Sequence, residues 1–270
     1  MDKMAFLPER GVVELSGADR VGFLNGLVSN DVARAGPGRA VWAALLTPQG
    51  RYLVDFFIFS DGERLCLDTP RAAIPGLIQK LRRFKLRAAV EIADVSERLG
   101  VYALWGGGPP PAKDPLAAAD PRLPAAGYRR LLPPGMAANA TAAEYAAHRI
   151  PLGLPDGPPD LEPDKTLLLE AGFDELGGVD WQKGCYMGQE LTARTKYRGL
   201  VKRRLLPVRL AAPGALPCTP VLAGEQEAGT LRSGAGDMAL AMLRLDALAR
   251  PLAAAGAPLT PCPPAWLKLP

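Results

Sequence analysis

The chain has 270 residues, 48% of them hydrophobic and 22% charged, and it carries a formal net charge of +4. It is therefore long enough for one large globular domain or two ordinary ones. Its four cysteines form no CxxC pair and its only histidine is His148. These counts argue against a disulfide framework, a local zinc site and a serine–histidine–aspartate triad.

The N-terminus and the apolar runs predict where the protein resides. Charged residues occupy several of the first ten positions and no apolar segment follows them, so no secretory signal is expected. The longest apolar runs are interrupted by Asp55 or by Arg250 and are too short to cross a bilayer. The sequence therefore predicts a cytoplasmic protein without a membrane span.

The first half of the chain alternates between strand and helix patterns. Hydrophobic periodicity predicts two longer helices, over 19–28 and 71–84, and a short helix over 141–149 whose Thr141 and Glu144 form a capping box. Predicted strands, several joined by short turns, cover 11–16, 39–46, 51–59, 64–67, 86–93, 101–105 and 128–132. Antiparallel strands interleaved with helices indicate an α+β domain.

Composition also predicts how the chain is divided. Residues 106–127 are rich in Gly, Pro and Ala and are interpreted as an irregular surface excursion. Beyond Gly199, short strands near 200–210, 219–223, 227–232 and 238–246 alternate with Pro/Gly turns, which is typical of a small β-barrel. We therefore expect an α+β body over 1–198, with room for two subdomains, and a C-terminal barrel over 199–270.

The stretch from Lys183 to Gly199 is chemically the richest in the chain. Gly184 and Gly188 bracket a short loop that contains Cys185, and a helix is predicted to begin after Gly188. Cys185 would then lie just ahead of a helix N-terminus and two residues from Lys183, and both features favour a thiolate. Such a thiol is a candidate nucleophile, a redox-sensitive group, or one ligand of a cluster shared with a partner, since a self-contained cluster needs four thiolates.

Basic residues are concentrated in two runs. One run lies between Lys80 and Arg87, and the other lies between Lys183 and Arg204, offset there only by Glu190. Both runs are consistent with solvated faces, but together they also indicate an anionic ligand or partner. Charge alone does not distinguish a small polyanion from nucleic acid.

The segment Lys183–Glu190, with Arg194 and Gly199, resembles the signature of the YgfZ family, which comprises folate-binding relatives of the glycine-cleavage T-protein, an aminomethyltransferase. Segments elsewhere also resemble that family, at 15–19, 23–31, 46–51 with Asp55, 84–87 and 229–233. The resemblance implies a T-protein-like α+β fold with a C-terminal barrel. It also implies tetrahydrofolate binding and a role in assembling or repairing iron–sulfur proteins, linked to tRNA-modifying enzymes.

The same resemblance implies roles for individual residues. Cys185 and Lys183 are expected to be catalytic, while no residue is assigned to a metal site. Folate contacts are expected from Asn25, Arg51, Asp55, Gln189, Glu190 and Arg194. Each has an ordinary alternative: Asn25 on a helix surface, Arg51 as a hairpin charge, Asp55 as a sheet-face carboxylate, and Glu190 in an i,i+4 pair with Arg194.

The sequence leaves three hypotheses for function. The first is a folate-binding accessory protein whose partners are iron–sulfur assembly or client proteins, with a transient cluster shared through Cys185. The second is a tetrahydrofolate-dependent one-carbon transferase, which is the enzyme class expected if the protein has turnover of its own. Val54 disfavours it, because the T-protein carries the first of two aspartates at that position. The third is direct contact between the basic runs and tRNA.

Overall fold

The structure is a computed structural model that describes residues 2–108, 114–212 and 217–269. Its body contains the strands and helices β1 (Lys3–Phe6), β2 (Arg10–Ser16), α1 (Arg20–Asn25), β3 (Val41–Leu46), β4 (Tyr52–Ser60), β5 (Leu65–Pro70), α2 (Ile74–Lys85), β6 (Glu91–Asp94), β7 (Gly100–Trp105), β8 (Ala117–Ala119), β9 (Tyr128–Leu132), α3 (Ala142–Arg149) and α4 (Gln189–Tyr197). The C-terminal strands are β10 (Arg203–Leu210), β11 (Pro220–Ala223), β12 (Gln226–Ala235), β13 (Met238–Arg244), β14 (Leu252–Ala254) and β15 (Ala257–Pro261).

Two antiparallel sheets build the body. The larger has the order β3-β4-β5-β2-β6 and the smaller the order β1-β7-β9-β8. Side chains on β4 alternate between two cores, as the two-residue period of a strand requires. Val54, Phe56 and Ile58 pack with helices α1 and α2, whereas Phe57 and Phe59 belong to the core that includes the smaller sheet.

The six C-terminal strands form a closed barrel in the order β10-β13-β12-β11-β14-β15. The barrel has its own apolar core, which includes Leu206 and Leu231. Leu205 and Met242 instead belong to the same core as Trp42 and Phe173 of the body. Barrel and body are therefore joined by a shared apolar seam.

A cluster of buried charges lies at the centre of the body. Arg129 forms an ion pair with Asp68 at 2.7 Å, stacks over the Phe57 ring at 3.8 Å and donates a hydrogen bond to the Tyr145 hydroxyl. The other buried pairs of the cluster join Arg10 to Asp68 and Asp156, Arg122 to Asp120, and Arg149 to Asp160. Buried charges are tolerated only when paired and hydrogen-bonded, so each of these arginines depends on its carboxylates.

The α+β fold with a C-terminal barrel is confirmed, and the capping box at Thr141 and Glu144 is present. Several predicted details were wrong. Helix α1 ends at Asn25, not at residue 28, and β6 begins only at Glu91. Strand β8 lies inside the stretch 106–127, which was expected to be irregular; residues 109–113 of that stretch lie outside the described part. The division of the chain at residue 199 stays a prediction.

Across the described residues, no helix combines the length and the apolarity needed to cross a membrane.

Candidate functional site around Cys185

The loop that carries Cys185 is shaped by two glycines in the left-handed region. Gly184 has φ +92° and Gly188, the N-cap residue of α4, has φ +81°. Between them, the Tyr186 backbone N–H donates a 3.0 Å hydrogen bond to the side-chain oxygen of Gln189, and Cys185 is exposed. The loop therefore presents its thiol to solvent at the start of a helix, while Gln189 fixes its backbone.

Direct backbone contact holds this loop on the turn between β3 and β4. A Cβ atom added at Gly188 would lie 2.5 Å from the Thr47 carbonyl oxygen and 3.0 Å from the Gly50 Cα. A Cβ added at Gly50 would lie 2.8 Å from the Gly188 oxygen. Because these separations are too short for any side chain, both glycines are needed for the close approach.

Lys183 anchors the other end of the loop. Its Nζ donates hydrogen bonds to the backbone oxygens of Asn25 and Val28, the latter at 2.7 Å, and lies 5.1 Å from the centre of the Tyr186 ring. Burial lowers the pKa of Lys183 to about 8, although Asp31 and Asp180 act to raise it. The ammonium group of Lys183 is therefore bound to backbone oxygens at and just after the end of α1. Its catalytic role stays a prediction.

The exposed segment that follows Cys185 along the chain is basic and partly apolar. In the second basic run, Lys196 pairs with Asp174, Arg203 with Glu170, and Arg204 with Glu175. Within the described residues, no ion pair engages the exposed side chains of Arg194, Arg198 or Lys202, so the expected pair between Glu190 and Arg194 does not form. Tyr197 is 75% exposed and Leu200 45% exposed on the same segment. We call Arg194, Tyr197, Arg198, Leu200 and Lys202 the α4 patch.

Asp55 lies in a different environment, fully buried on the face of β4 that also carries Phe57. One carboxylate oxygen accepts a 2.8 Å hydrogen bond from the Tyr52 hydroxyl and the other a 2.9 Å bond from the Trp42 indole N–H. Burial raises the pKa of Asp55, and the charge of Arg10 acts against that rise. A direct contact between this carboxylate and folate does not fit the arrangement, because the side chain is fully buried and presents no surface to a ligand.

The remaining predicted folate contacts lie on three elements, which are the end of α1, the β3–β4 turn and helix α4. Asn25 ends α1, where its side-chain oxygen accepts the Val32 backbone N–H. Arg51 donates to the Lys165 carbonyl oxygen at 2.8 Å, at the seam with the barrel. Gln189, Glu190 and Arg194 lie on α4. The structure thus brings Lys183, Cys185, Gln189, Glu190 and Arg194 into one region, together with Asn25, whose backbone oxygen binds Lys183. Asp55 is instead buried within β4.

The other thiols offer Cys185 no partner for a metal centre. Cys66 is buried, and burial raises its pKa to about 12, so it stays a thiol at neutral pH. In the part of the chain that the structure describes, no three cysteine, histidine, aspartate or glutamate residues are grouped as metal ligands would be. Any metal bound through Cys185 would need ligands from another molecule.

Comparison with known proteins identifies the family. Residues 202–269 match the model of the CAF17 C-terminal β-barrel domain. The chain is 32% identical to the mouse protein named iron-sulfur cluster assembly factor IBA57, mitochondrial, and the match covers 91% of this chain and 78% of the mouse protein. The chain belongs to the IBA57 family. The expectation of a cytoplasmic protein is contradicted, because relatives in the IBA57 family are named as mitochondrial.

Fungal members of the IBA57 family are longer than this chain. The homologue in Mycosarcoma maydis is 39% identical, and that in Coccidioides immitis 34% identical. The matches cover 80% and 76% of this chain but only 59% and 56% of the fungal proteins, so the chain spans less than two thirds of their length.

A solved structure supports the fold independently. Aminomethyltransferase T of the glycine cleavage system from Bartonella henselae superposes with a TM-score of 0.78. The superposition covers 99% of this chain and 87% of the other at 14% sequence identity. This likeness confirms the predicted T-protein-like fold and carries no conclusion about activity.

Sequence reasoning missed two features of the site. The contact between Gly50 and Gly188 joins residues far apart in the chain, and the sequence carries no signal for it, because a turn and a helix N-cap already explain the two glycines locally. The exposure of Tyr197 and Leu200 was also missed, because an aromatic and an aliphatic side chain beside a loop usually pack inward.

Proposed function

We propose that this protein is an iron–sulfur cluster assembly factor in which Cys185 is one ligand of a cluster completed by a partner. The observation that carries the proposal is an exposed thiol on a loop fixed at both ends. Membership of the IBA57 family supports the same function. A single thiolate holds no cluster alone, so the remaining ligands must come from the partner or from small thiols.

The surroundings of Cys185 suit such a shared ligand. Lys183 and Gly188 fix the loop against α1 and the β3–β4 turn, so little conformational entropy is lost when the thiol is engaged. The α4 patch offers cations and apolar side chains for a partner with an acidic rim. A protein that carries iron–sulfur clusters, with clustered thiolates of negative charge, is the partner class that this surface favours.

The test is cluster-dependent association. Purified chain is mixed with a cluster-loaded iron–sulfur scaffold protein, and visible absorption is recorded on the complex after gel filtration. Wild type is expected to co-elute with cluster absorption, while Cys185→Ser loses it and Cys218→Ser, an exposed thiol of the barrel, keeps it. Equal cluster retention by wild type and Cys185→Ser would overturn the proposed role.

Tetrahydrofolate is a further part of the proposal, supported by the resemblance of Lys183–Glu190 to the signature of the folate-binding YgfZ family. Because the carboxylate of Asp55 is fully buried and bound by Trp42 and Tyr52, we expect folate binding to be independent of it. Calorimetry on wild type and Asp55→Asn tests this, with equal affinities expected. A loss confined to the variant would show that Asp55 contacts the ligand, and no binding by wild type would remove folate from the proposal.

The alternatives have less support. A one-carbon transferase needs an accessible acid or base, whereas Val54 is apolar and Asp55 is enclosed. A direct tRNA contact would use the cations of the α4 patch, since Lys196, Arg203 and Arg204 are engaged by carboxylates, and failure to bind tRNA even at low salt would remove it. The resemblance to the YgfZ family also suggests that the client proteins include tRNA-modifying enzymes, and reduced tRNA modification in cells that carry only Cys185→Ser would test that link.

A further inference from the structure

The C-terminal end of α2 carries the first basic run, which has no part in the proposed function. One side of this helix is buried against the core, and its charged side chains are exposed on the other. No aspartate or glutamate occurs from residue 69 to residue 90. Among the residues that the structure describes, no ion pair engages Lys80, Arg83 or Arg87, while Lys85 has an exposed carboxylate partner at 3.3 Å. The end of α2 is therefore a concentrated positive surface.

Two large hydrophobic side chains are exposed at the same helix end. Phe84 is 42% exposed and Leu86 is 89% exposed. Leu86 also has φ +45°, a backbone conformation that glycine adopts freely and that strains other residues. Glycine would therefore suit the local fold better and would expose no apolar surface. A leucine that is both strained and exposed indicates a role in binding another molecule. We define the α2 patch as Lys80, Arg83, Phe84, Lys85, Leu86 and Arg87.

An open groove adjoins the α2 patch and combines the same two properties. Its volume is about 630 Å³, and its lining includes the apolar side chain of Ile78 and the cations of Arg82 and Arg83. Asp94, also in the lining, accepts hydrogen bonds from the backbone N–H and the hydroxyl of Ser96. Because Arg83 belongs to both, the groove and the patch form one continuous surface. That surface offers an anionic group two guanidinium donors beside an apolar wall.

We propose that the α2 patch and its groove bind the surface of an anionic phospholipid bilayer. Lys85 and Arg87 flank Leu86, so the leucine can enter between the headgroups while its two neighbours meet the phosphates. Phe84 would lie at the boundary between headgroups and acyl chains, where aromatic rings are favoured. The groove would hold the phosphate of one headgroup.

A bilayer fits this surface better than a nucleic acid or an acidic protein. Nucleic acids supply phosphates, but they offer no aliphatic interior in which Leu86 could be buried. A stable protein interface takes about 20–30 residues on each side, whereas the α2 patch is confined to one helix end and projects into solvent. A bilayer supplies a plane of phosphates with an apolar layer directly behind it.

Sedimentation of the full chain with vesicles tests the proposal. Vesicles of phosphatidylcholine with about 30 mol% phosphatidylglycerol are compared with vesicles of phosphatidylcholine alone. Wild type should sediment with the anionic vesicles, bind the neutral ones at least about tenfold more weakly, and lose affinity as salt is raised toward about 1 M. Cys185→Ser should bind as wild type does, which separates this surface from the proposed assembly function.

Variants separate the apolar contribution from the charges. Leu86→Gly relieves the strain at φ +45°, so it should resist urea at least as well as wild type, yet it should bind anionic vesicles at least about tenfold more weakly. Arg83→Gln and Arg87→Gln should weaken binding about fivefold each and about 25-fold together. Arg198→Gln, which removes an exposed charge from the α4 patch, should leave vesicle binding unchanged.

Two results would overturn the proposal. Equal binding by wild type and Leu86→Gly would show that the surface acts by charge alone. Failure to sediment with anionic vesicles would exclude a bilayer, and binding of RNA or of polyglutamate in its place would assign the α2 patch to one of the other partner classes.

Discussion

Replacing Gly188 by alanine tests whether backbone contact with the β3–β4 turn holds the Cys185 loop. The new methyl group would lie 2.5 Å from the Thr47 carbonyl oxygen and 2.9 Å from the Leu46 Cβ, so the loop would have to move. Gly184 provides a matched control. Its φ of +92° is as unfavourable for alanine, but an added Cβ would meet nothing within 4 Å.

The two substitutions share one cost and differ in another. A non-glycine residue held in the left-handed region costs about 1–2 kcal/mol, which applies to both. Overpacking against a fixed backbone adds about 1–3 kcal/mol, which applies only to Gly188. We therefore expect Gly184→Ala to lower the free energy of unfolding by about 1–2 kcal/mol and Gly188→Ala by about 2–5 kcal/mol, as the sum of these two ranges.

Urea unfolding followed by circular dichroism measures both losses, and the rate of Cys185 alkylation reports the loop itself. Faster alkylation is expected for Gly188→Ala, since the loop leaves its support. If the two variants lose equal free energy of unfolding, the close approach of Gly188 to the β3–β4 turn contributes nothing to stability. The description of a loop fixed at its Gly188 end would then be wrong.

Three further predictions concern charge. Arg129→Leu should lower the free energy of unfolding by about 3–5 kcal/mol in urea melts, because it removes one of the two cations that compensate each of the buried carboxylates of Asp68 and Asp120. A loss below about 1 kcal/mol would refute the buried-cluster account. Burial would raise the pKa of Asp120, but the charges of Arg122 and Arg129 outweigh it and the pKa is lowered. This carboxylate therefore stabilises the fold above its unfolded pKa, near 4, and that stability is lost as pH falls. The free energy of unfolding of Asp120→Asn should fall less steeply with decreasing pH than that of wild type, and an equal slope would contradict this. The pKa of Lys183 is about 8 in the fold, below the ordinary lysine value of 10.5, so between pH 8 and pH 10.5 this side chain binds more protons in the unfolded chain. Wild type should then gain stability relative to Lys183→Met as pH rises from about 8 to about 10.5, and a constant difference would disprove the burial of its ammonium group.

Local patterns could be read from the sequence because their causes are local. The capping box of α3 needs only Thr141 and Glu144, three residues apart, and both contacts form. The helix after Gly188 needs only a glycine N-cap followed by helix-forming residues, and α4 begins at Gln189. The Pro/Gly turns after Gly199 likewise indicated short strands, and these strands form the closed barrel.

Long-range pairings could not be read in this way. Arg129 meets Asp68 across 61 positions, and no local pattern marks either residue as buried. Asp55 was recognised as a carboxylate in an apolar strand, but β4 is buried on both faces, so its sequence does not show which core the side chain enters. The donors that enclose Asp55, from Trp42 and Tyr52, became visible only with the strand register and the packing of the two sheets.

We propose above all that Cys185 is a cluster ligand presented by a fixed loop. The most direct measurement is the visible and electron paramagnetic resonance spectrum of the complex between this chain and a cluster-loaded scaffold protein, recorded for wild type and Cys185→Ser at equal folded stability. We predict that the wild-type spectrum differs from that of the scaffold alone and that the variant reproduces the scaffold spectrum. Identical spectra for the two complexes would contradict the claim.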